Sequence, residues 1–396
     1  MAIESQTHRP AQLQGRRFAR RVGLFYASTV GVFGTYLPFF PLWLKATGID
    51  AFWIGLITAV PPVSRFTVLP LITATAERHQ VLRGTIVAMA FLCTLGFALV
   101  GLLHQPLAIL IVFALTACVW TPLGPMTDGY TLKGLARYRL DYGPLRLWGS
   151  AAFVVTALGC GWLADLIAAK HLIWIVVAVA AFSACVSLRL EPLERPAVRP
   201  ASLTRANALL RQPLFIAIMV TAALVQGSHA AYYSFASITW QNAGLDGLTI
   251  AALWSLGVIA EIVVFALSPR FTVSPATVVA IGALGAALRW LITAQEPPVG
   301  VLAVVQLMHG LSFGMTHIGT IGLLGRSVPH HVLARAQGYL AASIGIVSSA
   351  TMILSGLIYA RAGHHVYYAM AMMALAGFGV IVSARTRLDR AHAITA

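Results

Sequence analysis

Twelve apolar stretches separated by short polar joints account for nearly all of this 396-residue chain. A hydrocarbon core about 30 Å thick needs about 20 helical residues to cross it, and every backbone polar group inside must be satisfied within its own helix. The pattern predicts an all-α membrane protein with segments near 22–44, 51–72, 84–103, 106–132, 144–166, 171–190, 213–240, 247–268, 273–293, 299–325, 332–360 and 366–384. With 59% hydrophobic and 10% charged residues, any charge inside these segments stands out. Arg65, Asp128, Glu261 and Arg289 lie within them, and Arg146 lies near the start of another. A charge at membrane depth is expensive, so by default it marks a pathway or a binding site.

Of the 27 basic residues, a cytoplasmic N-terminus leaves only Lys45, Lys170 and Arg361 on the outer side and Arg65 and Arg289 in the membrane. The remainder fall on cytoplasmic joints, which favours an even number of helices with both ends inside. The net charge of +15 is spread over those joints and is not gathered on a soluble module, so anionic lipid and topology explain it without nucleic acid. The arginine-rich start lacks a short apolar region ending in a small-residue cleavage site, which predicts a retained first helix. Cys93, Cys118, Cys160 and Cys185 sit in apolar segments without paired spacing, indicating neither disulfides nor a metal site. No phosphate loop of the G-x-x-x-x-G-K-[ST] type and no H-E-x-x-H motif occurs, which argues against ATP-driven pumping and against a metalloenzyme.

The longest polar joint divides the chain six segments and six. The expected organisation is a cytoplasmic segment 1–21, a first bundle 22–190, a linker 191–212, a second bundle 213–384 and a cytoplasmic tail 385–396. The halves repeat. Tyr36 and Trp43 are seven apart, as are Tyr233 and Trp240; Gly48, Ile49 and Asp50 follow the first pair, and Gly244, Leu245 and Asp246 follow the second. Arg65 and Glu261 each lie fifteen residues beyond the aspartate, as repeat mates. Parallel six-helix repeats with a site near the midplane are the architecture of major facilitator transporters.

Asp128 closes one helix core and Arg146 opens the next, so the joint between them can return the two to similar depth as a low-dielectric pair. The other reading is a pair that only pins two helices. Phe153 lies two turns beyond Arg146 on the same face, an arrangement suited to an organic anion or a sugar ring. Arg289 and His309 form a second cluster with Glu261, where protons could enter and leave because histidine titrates near neutrality. His317 lies two turns further along the same face and is expected to be a packing residue.

The tract Leu140, Asp141, Tyr142, Gly143 and then Arg146, Leu147, Trp148, Gly149, Ser150 resembles the 3-phenylpropionic acid transporter family, a branch of the major facilitator superfamily near the lactose permeases. Gln226, Gly227 and His229 to Tyr233, residues 253–261, 304–309 and 36–44 resemble it too, in both halves. The resemblance to the lactose permeases implies that Asp128 and Arg146 bind substrate, that Phe153 takes the place of a stacking tryptophan, and that Glu261, Arg289 and His309 couple it to protons. There are three departures. Ser312 stands where those permeases carry a proton on a glutamate, Gln226 and Gln306 replace a charge pair, and the loop motif after the second helix is degraded at residues 74–80.

Together these readings predict a twelve-helix secondary transporter, a proton symporter or alternatively a uniporter, importing an aromatic carboxylate such as 3-phenylpropionate across an inner membrane. Sugar or nucleoside symport, or export, is the alternative. The expected substrate-binding residues are Asp128, Arg146, Phe153, Arg65, Tyr36 and Tyr233, and the expected proton-coupling residues are Glu261, Arg289 and His309. No cofactor is expected, the proton gradient being the driving force. The partners are solute, proton and lipid, with a monomer as the functional form.

Overall fold

The computed structural model describes residues 2–72, 82–138, 140, 143–193, 206–329 and 332–390. The elements are α1 (Ala2–Ala46), α2 in two pieces (Ala51–Thr58 and Val60–Thr67), α3 (Leu82–Gly101), α4 in two pieces (Pro106–Trp120 and Leu123–Tyr138), α5 (Gly143–Leu166) and α6 (Leu172–Ser187). There follow α7 in two pieces (Pro213–Gly227 and Ala230–Asn242), α8 (Gly247–Leu267), α9 (Pro275–Thr293), α10, α11 (Leu333–Ala362) and α12 (Val366–Arg390). The α10 element runs Val299–Leu307, then a π-helical turn Gly310–Met315, then Thr316–Ser327. Among the described residues, ten helices are long and apolar enough to cross a membrane. That falls short of the expected twelve because α11 and α12 run through a tight turn at Gly363 as one stretch, and α2 is in two short pieces.

Proline explains two of the breaks. Pro61 and Pro62 interrupt α2, and Pro122 interrupts α4, because a residue without N–H cannot donate to the preceding turn. The repeat read from the sequence recurs as local geometry. Gly48 and Gly244 both have positive φ, 85° and 86°, conformations that suit glycine at a helix end. Two residues on, Asp50 accepts from Trp53 N–H at 3.0 Å and caps α2, while Asp246 accepts from Thr249 N–H at 2.7 Å and caps α8.

Contacts divide the chain into two compact units. The first comprises residues 1–47, 67–198 and 246–251; the second comprises 48–66, 199–245 and 252–396. In the first, α1 packs on α5 and α6, and α3 on α4 and α6, around Phe18, Phe25 and Tyr130. Asp165 at the end of α5 accepts from the Gly247 and Leu248 N–H groups, which caps the start of α8. Arg83 donates to the carbonyls of Leu188 and Leu190, satisfying the end of α6.

In the second unit, α7 packs on α11 and α12, and α9 on α10 and α12. The first piece of α2 lies against α11, where a Cβ on Gly55 would meet the Met352 carbonyl at 2.5 Å. Outward faces carry exposed apolar rows at helical spacing, such as Leu92, Leu95 and Leu99 on α3 and Ile281, Leu284 and Leu288 on α9. Such rows suit lipid, whereas water would leave them unburied. All four cysteines are free thiols.

Candidate functional site

The second unit holds a buried polar cluster built on α7, α8, α9 and α10. Its centre is Arg289, which is wholly buried. Nη1 donates to Nδ1 of His309 at 2.8 Å and to Oγ of Ser312 at 3.2 Å, and Nη2 donates to Oε1 of Gln306 at 2.9 Å. The guanidinium lies 4.6 Å from the rings of both Tyr232 and Trp290. Every hydrogen-bonding partner is neutral, and Nε has no partner among the described residues.

An arginine can only donate, so Nδ1 of His309 must present its lone pair and the ring proton must sit on Nε2. That nitrogen faces Oε2 of Glu261 at 3.9 Å, close enough for charge attraction and too long for a hydrogen bond. His229 shows the same logic. Its Nδ1 lies 3.0 Å from the Val225 carbonyl and therefore carries the proton, which leaves Nε2 to accept from Ser312 at 3.2 Å. His309, Ser312 and Gln306 thus accept from a single buried cation, and His229 accepts from Ser312 behind them.

Local backbone puts these groups in place. Gly227 ends the first piece of α7, and Ser228 and His229 form the turn before the second. The Ser228 hydroxyl donates to the Val225 carbonyl and accepts from Trp290 Nε1 at 2.9 Å, tying α7 to α9. On α10, Gly310 approaches α8 so closely that a Cβ there would stand 2.7 Å from the Ala260 carbonyl. Gly257 lies opposite His309, where a Cβ would stand 3.4 Å from the His309 Cβ, so it is Gly310 that lets α8 and α10 approach beside Glu261 and His309. His309, Phe313 and His317 stack as a ladder along α10, with His317 at its exposed end among aromatic rings.

Glu261, Arg289, His309 and Tyr233, four of the expected site residues, come together. The Tyr233 ring stacks near His229 and Trp254. Arg65 itself is exposed on the second piece of α2. In the first unit, Asp128 is half-buried on the second piece of α4 and Phe153 is buried on α5. The Arg146 side chain, like the loop motif at 74–80, lies outside the described residues. Tyr36 is buried in an aromatic cluster with Phe40, Phe97, Phe113 and Trp120, an environment of packing.

Sequence reasoning did not place His229, Tyr232 or Trp290 in the site. It treated Ser312 and Gln306 as departures, whereas both bond Arg289. The available signal was a histidine following Gly227 and Ser228 in an otherwise apolar run.

The family model described as the MFS_1 like family matches residues 20–370. The chain belongs to that family. It is 31% identical over 369 residues to the probable 3-phenylpropionic acid transporter of Escherichia coli (strain K12), covering 90% of this chain and 95% of that one. It is 25% identical over 346 residues to the maltose permease of Geobacillus stearothermophilus, covering 85% and 87% respectively. Among solved structures, the nucleoside transporter NupG superposes with a TM-score of 0.79 at 14% identity, over 94% of this chain and 99% of that one. The human organic anion transporter MFSD10 superposes with a TM-score of 0.60 at 15% identity, over 93% and 99%. These two share the fold. The protein is accordingly an integral membrane transporter of the major facilitator type that moves a small-molecule solute, and its relatives are permeases, not enzymes.

Proposed function

We propose that the transporter is a proton symporter that imports a small aromatic carboxylate of the 3-phenylpropionate class by alternating access, as a monomer in an inner membrane with both termini cytoplasmic. The identity to the probable 3-phenylpropionic acid transporter over nearly the whole chain supports the solute class. The observation that carries the coupling is the line Glu261, His309, Arg289. Among the described residues Glu261 is the carboxylate that faces the cluster, and it keeps 24% of its side chain exposed, which supports its role as the group that exchanges a proton while its neighbours are buried. No cofactor is required, because the proton gradient supplies the driving force.

In this reading Arg289 is a fixed charge. Its bond to Nδ1 keeps His309 neutral with N–H toward Glu261, so an ionised Glu261 is attracted to the histidine and a protonated one is released. Substrate selection falls to Arg65, Tyr233, Asp128, Arg146 and Phe153, with Arg65 and Arg146 compensating the desolvation of a carboxylate. A second reading, proton-coupled sugar uptake, draws on the maltose permease relative. Uptake of labelled 3-phenylpropionate and labelled maltose by intact cells, with and without a protonophore, separates the two. The first reading expects protonophore-sensitive uptake of the acid alone; uptake of the sugar alone supports the second, and acid uptake indifferent to the protonophore removes the coupling.

A further inference from the structure

The first unit carries two adjoining surface cavities that differ in chemistry. One is an apolar groove of about 900 Å³ between α1 and α5, lined by Leu24, Ala27, Trp148, Ala152 and Val155 among others. The second, about 440 Å³, lies where the 17–24 stretch of α1 meets the end of α6, and Arg17, Arg20, Arg21 and Arg189 supply its polar lining. Arg20 and Leu24 line both, so the two adjoin at these side chains. Glu191 engages Arg21 at 2.7 Å, which leaves Arg17, Arg20 and Arg189 with no carboxylate within ion-pair distance among the described residues.

We propose that this face binds one anionic phospholipid, its phosphate against Arg17, Arg20 and Arg189 and an acyl chain along the groove. Guanidinium groups grip phosphate through paired N–H donors, which suits three of them converging on one polar cavity. A free phosphate would fill only the small cavity. A zwitterionic lipid would fill the groove and offer a phosphate, but would bring a quaternary ammonium group against the same three arginines. An anionic lipid satisfies both parts at once, and Trp148, 64% exposed, lines the groove where an acyl chain would lie.

The test uses the full-length protein in phosphatidylcholine vesicles containing a minor fraction of either brominated phosphatidylglycerol or brominated phosphatidylcholine. Bromine quenches tryptophan at contact, and the Trp148 contribution is the difference between wild type and Trp148→Phe. The expected result is at least about fivefold stronger apparent binding of the anionic lipid, the factor that roughly 1 kcal/mol, the contribution of a single basic residue, corresponds to. The triple variant Arg17→Gln, Arg20→Gln, Arg189→Gln is expected to lose that preference. Ala152→Phe, which narrows the groove and leaves the arginines in place, is expected to reduce Trp148 quenching by the anionic lipid. Equal quenching by the two lipids, a preference that survives the triple variant, or quenching indifferent to Ala152→Phe overturns the proposal. So does competition by excess soluble glycerol phosphate, which would assign the cavity to a headgroup-sized anion.

Discussion

Arg289 donates to Nδ1 of His309 at 2.8 Å, and this one bond decides which face of the histidine can reach Glu261. A doubly protonated ring has no lone pair to offer, so the bond and a charged His309 exclude each other. Replacing His309 with Asn keeps an acceptor near the Nδ1 position and removes the N–H that faces Glu261. His309→Asn is therefore expected to fold and to bind solute, with proton coupling altered. His309→Leu removes the acceptor and leaves a buried guanidinium donor unsatisfied, at a cost of about 1–3 kcal/mol. Thermal unfolding of the detergent-solubilised variants, set beside proton-driven uptake, checks both; equal stability of the two variants would contradict the account.

Ser312 bridges Arg289 and His229 and cannot itself titrate in the working range. Ser312→Ala is expected to lower stability by about 1–2 kcal/mol through the broken bridge. Proton-driven accumulation is expected to persist. Loss of coupling in a well-folded Ser312→Ala protein would show that the serine takes part in proton movement.

Gly310 sets the spacing of α8 and α10. A valine there meets the Ala260 carbonyl, and overpacking of this kind costs about 1–3 kcal/mol. Pushing the helices apart separates Glu261 from His309, so Gly310→Val is expected to weaken coupling more than exchange. Gly300, whose Cβ position is open, provides the control: Gly300→Ala is expected to leave both unchanged. Parallel measurement of exchange and gradient-driven uptake reads the difference.

Arg65 is expected to select for charge. Competition by 3-phenylpropionate and by its neutral amide, compared in wild type and Arg65→Gln, should show the acid losing its advantage in the variant. A fall of about tenfold in the acid-to-amide ratio corresponds to ~1.4 kcal/mol. An unchanged ratio would leave Arg65 as a packing arginine.

Much of this was legible in the sequence because membrane burial is a coarse constraint. Apolar length located the helices, and the repeated Gly48–Asp50 and Gly244–Asp246 signals correspond to matching turns and caps. The grouping of Glu261, Arg289 and His309 was legible because charges are rare at that depth. The roles of His229, Ser312 and Gln306 were not, since neutral polar residues in apolar helices read as packing until a buried cation is seen to need acceptors. The aromatic setting of Tyr36 was not legible either. Its neighbours Phe97, Phe113 and Trp120 come from α3 and α4, and no spacing along α1 announces them.

In the proposed mechanism Glu261 carries the coupled proton. Glu261→Gln, reconstituted in vesicles, removes the titratable group and keeps nearly the same shape and a polar atom facing His309. This variant is expected to exchange labelled 3-phenylpropionate across the membrane at a rate near wild type, yet to fail to accumulate it when a proton gradient is imposed. Accumulation at the wild-type level in Glu261→Gln would contradict that mechanism.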